Sequence, residues 1–128
     1  MEKAAFLVRP EQLSTYSPEA HVGTINRRLI GSETVGAKNM EVVLGEVKST
    51  GLAEVHYHDV AEQAIYLLEG KCRIEVEGES DEMRRGDIAF FAPGKRHRVI
   101  PVGGPIKLLI IYSPPLGDAT TAFRTKGG

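Results

Sequence analysis

The chain has 128 residues, 41% hydrophobic and 26% charged, with a formal net charge of −1. That composition fits one globular domain long enough to bury a core, and the near-neutral charge gives no electrostatic reason to expect nucleic acid or an anionic membrane surface as partner. With Cys72 as its single cysteine no intrachain disulfide can form, no signal-peptide pattern or membrane-length apolar run is present, and a cytoplasmic location is expected.

In chain order, residues 1–20 read as an N-terminal arm, with one short helical turn at most around Pro10-Glu11-Gln12-Leu13. Short β-type runs then recur at 24–29, 40–47, 53–58, 63–68, 72–77, 88–91, 97–100 and 106–112. Turn residues separate them: Gly31, Gly36, Gly51, Gly70, Gly78, Gly86, Pro93-Gly94 and Gly103-Gly104-Pro105. Many short strands at regular spacing predict an all-β antiparallel sandwich or barrel over residues 21–115, followed by a C-terminal tail at 116–128. The longest apolar run, 108–112, suits a buried strand. Cys72 shares a strand face with Ile74 and Val76 and reads as a small core residue. Arg84 and Arg85 are balanced by Glu79, Asp81 and Glu82, the pattern of a solvated hairpin.

Three histidines stand where they could converge on one metal ion. His56 and His58 flank Tyr57 in an extended run, and residues two apart on a strand share a face. By the same parity an inward Gln63 carries Ile65 and Leu67 with it and turns Tyr66 out, and an inward His97 carries Val99. On the last strand the cavity is lined either by Leu109 and Ile111 or by Leu108, Ile110 and Tyr112. His21 lies in the arm and reads as a surface histidine.

Residues 51–70 and 86–97 together resemble the two sequence motifs of the cupin superfamily. The first is Gly51, His56-Tyr57-His58, a carboxylate or amide, then Gly70; the second is Gly86, a strand, Pro93-Gly94, then His97. Gly51 stands one residue closer to His56 than the usual pattern, and Ala92 occupies the first proline position of the second motif. The resemblance implies a double-stranded β-helix, or jelly-roll, cupin barrel. It also implies one divalent transition metal ion, such as Zn, Ni, Mn or Fe, held by His56, His58, His97 and a fourth ligand. Counting back from Gly70 makes that ligand Gln63; counting forward from His58 makes it Glu62. Both cannot face inward, and Gln63 keeps the following strand in register.

The His-x-His, Gln, His pattern and the ending Tyr112-Ser113-Pro114-Pro115 are similar to the ketoisomerase-like cupins of pectin breakdown. Those proteins carry an acid and an arginine where this chain has Ile110 and Leu116, so the resemblance extends to the metal site and not to the substrate. It implies a metal-dependent isomerase, lyase or dioxygenase acting on a small carbonyl- or carboxylate-bearing molecule. Glu54, Tyr112 and one of Arg27 or Arg28 are then the candidate acid/base or supporting groups. The alternative is a cupin that binds a small ligand without turnover, as a sensor or accessory protein. A homodimer is expected, since the N-terminal arm of small cupins often adds a strand to a neighbouring subunit.

Overall fold

The computed structural model describes residues 6–17, 23–48, 55–116 and 124–125, except for the side chains of His56, Arg124 and Thr125. A short 3-10 turn, Pro10–Gln12, precedes ten strands. They are β1 (Thr24–Ile30), β2 (Glu41–Val47), β3 (His56–Tyr57), β4 (Glu62–Glu69), β5 (Lys71–Val76), β6 (Glu79–Arg84), β7 (Ile88–Phe91), β8 (His97–Pro101), β9 (Ile106–Ser113) and β10 (Arg124–Thr125). They form two five-stranded antiparallel sheets in the orders β1-β2-β9-β4-β7 and β10-β3-β8-β5-β6. This is a jelly-roll barrel.

The inner faces follow the period-2 rule. Strand β2 buries Glu41, Val43, Gly45 and Val47, and β9 buries Ile106, Leu108, Ile110 and Tyr112. Ile65, Leu67 and Phe91 complete this side of the core, and Cys72, Ile74 and Met83 face them from the second sheet. Gly70 makes the corner between β4 and β5 at φ +90, where a Cβ would lie 2.6 Å from the Pro105 carbonyl oxygen and 2.7 Å from Ile106 Cγ2. Only glycine fits there, because neither the backbone angle nor the space admits a side chain.

Strand positions agree with the sequence reading to within a residue, except in four places. Of the run expected at 53–58, only His56–Tyr57 is strand among the described residues, and residues 53 and 54 lie outside them. The charged segment Glu79–Arg84 is a hairpin, as expected from its charges, but it also counts as a full strand; only Met83 of its side chains is buried. Residues after Pro115 return to the barrel, since Arg124–Thr125 pair with Tyr57 and His56. The N-terminal arm touches its own barrel through a bridge between Tyr16 and Asn26.

Candidate metal centre

One row of directly paired residues crosses the first sheet on its inner face: Phe91, Gln63, Tyr112 and Glu41, on β7, β4, β9 and β2. The pairing explains why the register of β4 matters. Gln63 is 6% exposed whereas its neighbour Glu62 is exposed, so Gln63 points into the barrel with Ile65 and Leu67 beneath it and Tyr66 outside. Leu108, Ile110 and Tyr112 are the inward set of the last strand. Thr24 and Asn26 set the inward parity of β1, which Arg28 shares; Arg27 lies on the other face.

His97 enters from the second sheet and is 2% exposed. Its ring stacks on Phe91 with centroids 4.0 Å apart and planes 8° from parallel. Its Nδ1 lies 3.0 Å from the Lys95 carbonyl oxygen. A carbonyl only accepts, so Nδ1 carries a proton, and in the neutral ring the lone pair is then on the buried Nε2. The same arrangement orients metal-binding histidines through their second nitrogen. His58 is also buried; its ring centre lies 5.7 Å from that of His97 and 5.4 Å from Tyr112, edge-on to the latter. Its carbonyl accepts from the Gly94 N–H at 2.8 Å, tying the two motif segments together. In the β3–β8 ladder His56 stands directly opposite His97. The His56 side chain, Glu54 and His21 lie outside the described residues.

Among the described residues no three His, Cys, Asp or Glu side chains group as a cation site; the described part of the centre is two imidazoles and an amide. These fit a metal ion on two observations. Two imidazoles sharing one ion, with metal–nitrogen bonds of about 2.1 Å, have ring centres roughly 4.5–6.5 Å apart, and the observed 5.7 Å falls inside that range. Gln63 Oε1 is buried and accepts no hydrogen bond among the described residues, so a neutral oxygen is left facing the interior at a cost unless something fills the position.

Thr24, Asn26, Gly45, Gln63, His97 and Tyr112, with aliphatic side chains, enclose an interior cavity of about 50 Å³. The cavity depends on Gly45, where a Cβ would come within 2.9 Å of Asn26 Oδ1 and 3.1 Å of Ile110 Cδ1. Space for one or two small groups remains. A second recess of about 200 Å³ opens at the mouth, between His58, Asp59, Val60 and Ala61 on one side and Pro114, Pro115 and Leu116 on the other.

Glu41 is the component that sequence reasoning missed. It is 2% exposed. One carboxylate oxygen takes the hydrogen bond and ion pair of Arg28 Nε, and the other accepts the Leu116 N–H at 2.9 Å. Arg28 also reaches Glu33 at 3.0 Å and lies over the Tyr16 ring, 4.9 Å from its centre. Burial is the largest single influence and opposes its charge, but the hydrogen bonds to Glu41 and Glu33 and the attraction of Tyr16 and Glu41 together outweigh it and hold the guanidinium protonated beyond its ordinary range. The signal was available: Glu41 occupies the same parity as Val43 and Val47, and a carboxylate on a core face requires a cation. Burial, with further repulsion from Tyr16 and Glu41, raises the Tyr112 phenol well above its ordinary value and keeps it a neutral hydroxyl. Burial likewise pushes the Cys72 thiol up to about 11, in keeping with a core cysteine.

The comparisons agree with this architecture. Residues 43–112 match the cupin domain family. The tetracenomycin polyketide synthase protein TcmJ of Streptomyces glaucescens is 28% identical over 103 residues, covering 80% of this chain and 69% of its own length. The polyketide synthase CurC of Streptomyces cyaneus is 27% identical over 90 residues, covering 70% of this chain and 58% of its own. Among solved structures, the polyketide cyclase RemF from Streptomyces resistomycificus superposes with a TM-score of 0.73 at 23% identity, covering 98% of this chain and 85% of that one. KdgF from Halomonas sp. superposes with a TM-score of 0.76 at 16% identity, covering 90% and 98%. At these identities the superpositions speak for the fold alone. No helix among the described residues is long and apolar enough to cross a membrane. With over half its length matched, the chain belongs to the cupin family.

Proposed function

We propose that this chain is a metal-dependent cupin enzyme acting on a small carbonyl- or enol-bearing molecule, with His56, His58, Gln63 and His97 as ligands of one divalent transition ion. The observation that carries the reading is the buried Gln63 Oε1, which accepts no hydrogen bond among the described residues, together with two buried imidazoles, one of them held by the Lys95 carbonyl. Three neutral imidazoles and an amide leave the ion its whole charge, so a bound ion would polarise a carbonyl oxygen as a Lewis acid. The protein's own part is positional. Phe91 and the Lys95 carbonyl fix the His97 ring, Tyr112 offers a neutral hydroxyl beside His58, and the aliphatic walls exclude water.

The recess at the mouth is where a substrate would enter, presenting one oxygenated end to the 50 Å³ interior. Relatives named for polyketide synthesis and cyclisation support the isomerase or lyase branch over dioxygenation. Polycarbonyl compounds are therefore the first substrates to test. The test incubates metal-loaded protein with a linear β-triketone and follows enol absorbance, beside His97→Ala and Gln63→Leu. Turnover that disappears in both variants and on chelation supports the proposal. A wild-type protein that retains no ion from a panel of Zn, Ni, Mn and Fe overturns it.

One observation favours a ligand-binding protein without turnover. Among the described residues the carboxylate on the inner face is Glu41, already engaged by Arg28 and Leu116, which leaves no general base there. Saturable triketone binding without product would decide for that reading.

A further inference from the structure

The turn between β5 and β6 holds a residue that its backbone does not favour. Glu77 and Gly78 both have positive φ, +49 and +84, the type I′ turn of a two-residue hairpin. Asparagine, aspartate or glycine is the usual first residue of such a turn, because longer side chains are strained in the left-handed region. Among the described residues Glu77 is the one non-glycine residue at positive φ. A glutamate there calls for a second reason, and its contacts supply one.

Strand β8 runs beside the turn, and Glu77 holds Arg96 twice. The Glu77 N–H donates to the Arg96 carbonyl oxygen at 2.9 Å, continuing the ladder past the Val76–His97 pair. Glu77 Oε2 accepts the Arg96 N–H at 2.7 Å, the short distance of a charge-assisted bond. That N–H belongs to the same planar peptide group as the Lys95 carbonyl. The Lys95 oxygen in turn accepts from His97 Nδ1 at 3.0 Å. One line of hydrogen bonds thus runs from the exposed Glu77 carboxylate, through a single peptide, to the buried His97 ring.

We propose that Glu77 is a positioning residue for the metal centre, acting on His97 through the Lys95–Arg96 peptide, which rests on His97 being a metal ligand. A negative acceptor at the N–H end polarises the peptide and leaves more negative charge on its carbonyl oxygen. The stronger acceptor holds Nδ1–H more firmly, fixes the ring plane against Phe91 and pushes electron density toward Nε2. A carboxylate bonded directly to a ligand histidine does this in one step; here one peptide carries it across the barrel wall. The charge stays outside, so no carboxylate is buried beside the cavity. Two features moderate the effect. The Arg96 guanidinium lies 3.9 Å from Glu77 Oε1, and the Glu77 side chain is 39% exposed beneath an open recess of about 670 Å³. Screening therefore puts the effect at or below the lower end of the roughly 10–100-fold that losing a direct partner of a ligand costs.

The experiment compares Glu77→Asn, Glu77→Gln and Glu75→Gln in the full chain. Asparagine suits the turn but is too short to reach the Arg96 N–H, whereas glutamine keeps an acceptor without the charge. Glu75 binds the Arg98 side chain at 2.7 Å, so its variant removes an equal charge nearby and leaves the line of hydrogen bonds whole. Zinc affinity is read by competition with a chelating dye. The His97 Nδ1–H signal is read by long-range proton–nitrogen correlation spectra of the metal-free protein. Glu77→Asn should melt within about 5 °C of wild type, bind zinc about 3–10-fold more weakly and shift the Nδ1–H signal upfield. Glu77→Gln should fall between, and Glu75→Gln should leave both readouts at their wild-type values. An unmoved Nδ1–H signal in Glu77→Asn overturns the proposal, and so does an equal loss of zinc affinity in Glu75→Gln, which would make charge alone the cause. A wild type that binds no zinc overturns the metal centre itself; the Nδ1–H signal of the metal-free protein still tests the line of hydrogen bonds on its own.

Discussion

Replacing Gln63 with leucine, a side chain of similar size, should stabilise the metal-free protein and weaken the metal-bound one. The carboxamide is 6% exposed, and its Oε1 accepts no hydrogen bond among the described residues. Burying an unsatisfied acceptor costs about 1–3 kcal/mol, and leucine removes it amid Ile65, Leu108 and Ile110. The metal-free variant should gain about 1.5 kcal/mol, or roughly 5 °C in Tm for a chain of this size. With free ion at 1,000 times the wild-type Kd, binding adds about 4.1 kcal/mol to the wild type. If losing one ligand weakens affinity about 100-fold, the variant gains only about 1.4 kcal/mol from the same ion. The variant then leads by about 1.5 kcal/mol without metal and trails by about 1 kcal/mol with it. Thermal melts in chelator and in excess Zn read both numbers. Destabilisation of the metal-free variant would refute the reasoning, because it would mean that Oε1 serves a structural hydrogen bond.

Gly70→Ala should cost about 2–5 kcal/mol, combining the left-handed backbone penalty with overpacking, against about 1–2 kcal/mol for Gly78→Ala. Gly78 has φ +84 but nothing within 4 Å of its Cβ position. Equal urea midpoints for the two would remove the clash from the account. Cys72, raised by burial from 9.0 to about 11, holds its proton in the folded state after the unfolded chain has released it. Its contribution to stability is therefore complete below about 9 and lost as pH rises to about 11. The urea midpoint should fall more steeply over that window in wild type than in Cys72→Ala; parallel curves would contradict this. Glu41→Gln should destabilise by about 2 kcal/mol, below the usual 3–5 for a broken buried pair, because Arg28 keeps Glu33 and is 22% exposed at its side chain. A neutral effect in thermal melts would show that the pair contributes nothing.

Much of the interior was legible because parity on a strand is rigid. Six residues from Gln63 to Gly70 set which of two neighbours turns inward, and the burial of Ile65 and Leu67 follows from that choice. What failed to show was whatever lacks alternation. The strand Glu79–Arg84 has one buried side chain in six, so its pairing with β5 rests on backbone hydrogen bonds that leave no hydrophobic trace. Arg124–Thr125 is two residues long, too short to carry a period. Glu41 was hidden for a different reason: its partner Arg28 lies 13 residues away on another strand, and only the fold brings the two together. Arg28 itself could not be told from Arg27 until Thr24 and Asn26 fixed the face of β1.

The division of the Glu41 carboxylate makes the barrel mouth and a distant surface loop parts of one lever. One oxygen grips Leu116, beside Pro114 and Pro115 at the mouth; the other grips Arg28, whose guanidinium continues to Glu33 in the loop after β1. A molecule wedged against Pro115 would pull on that chain of contacts and be felt at the loop. The sequence contains no tryptophan, so a single tryptophan at Val35 would be a background-free reporter of occupancy, placed well away from the atoms that do the binding.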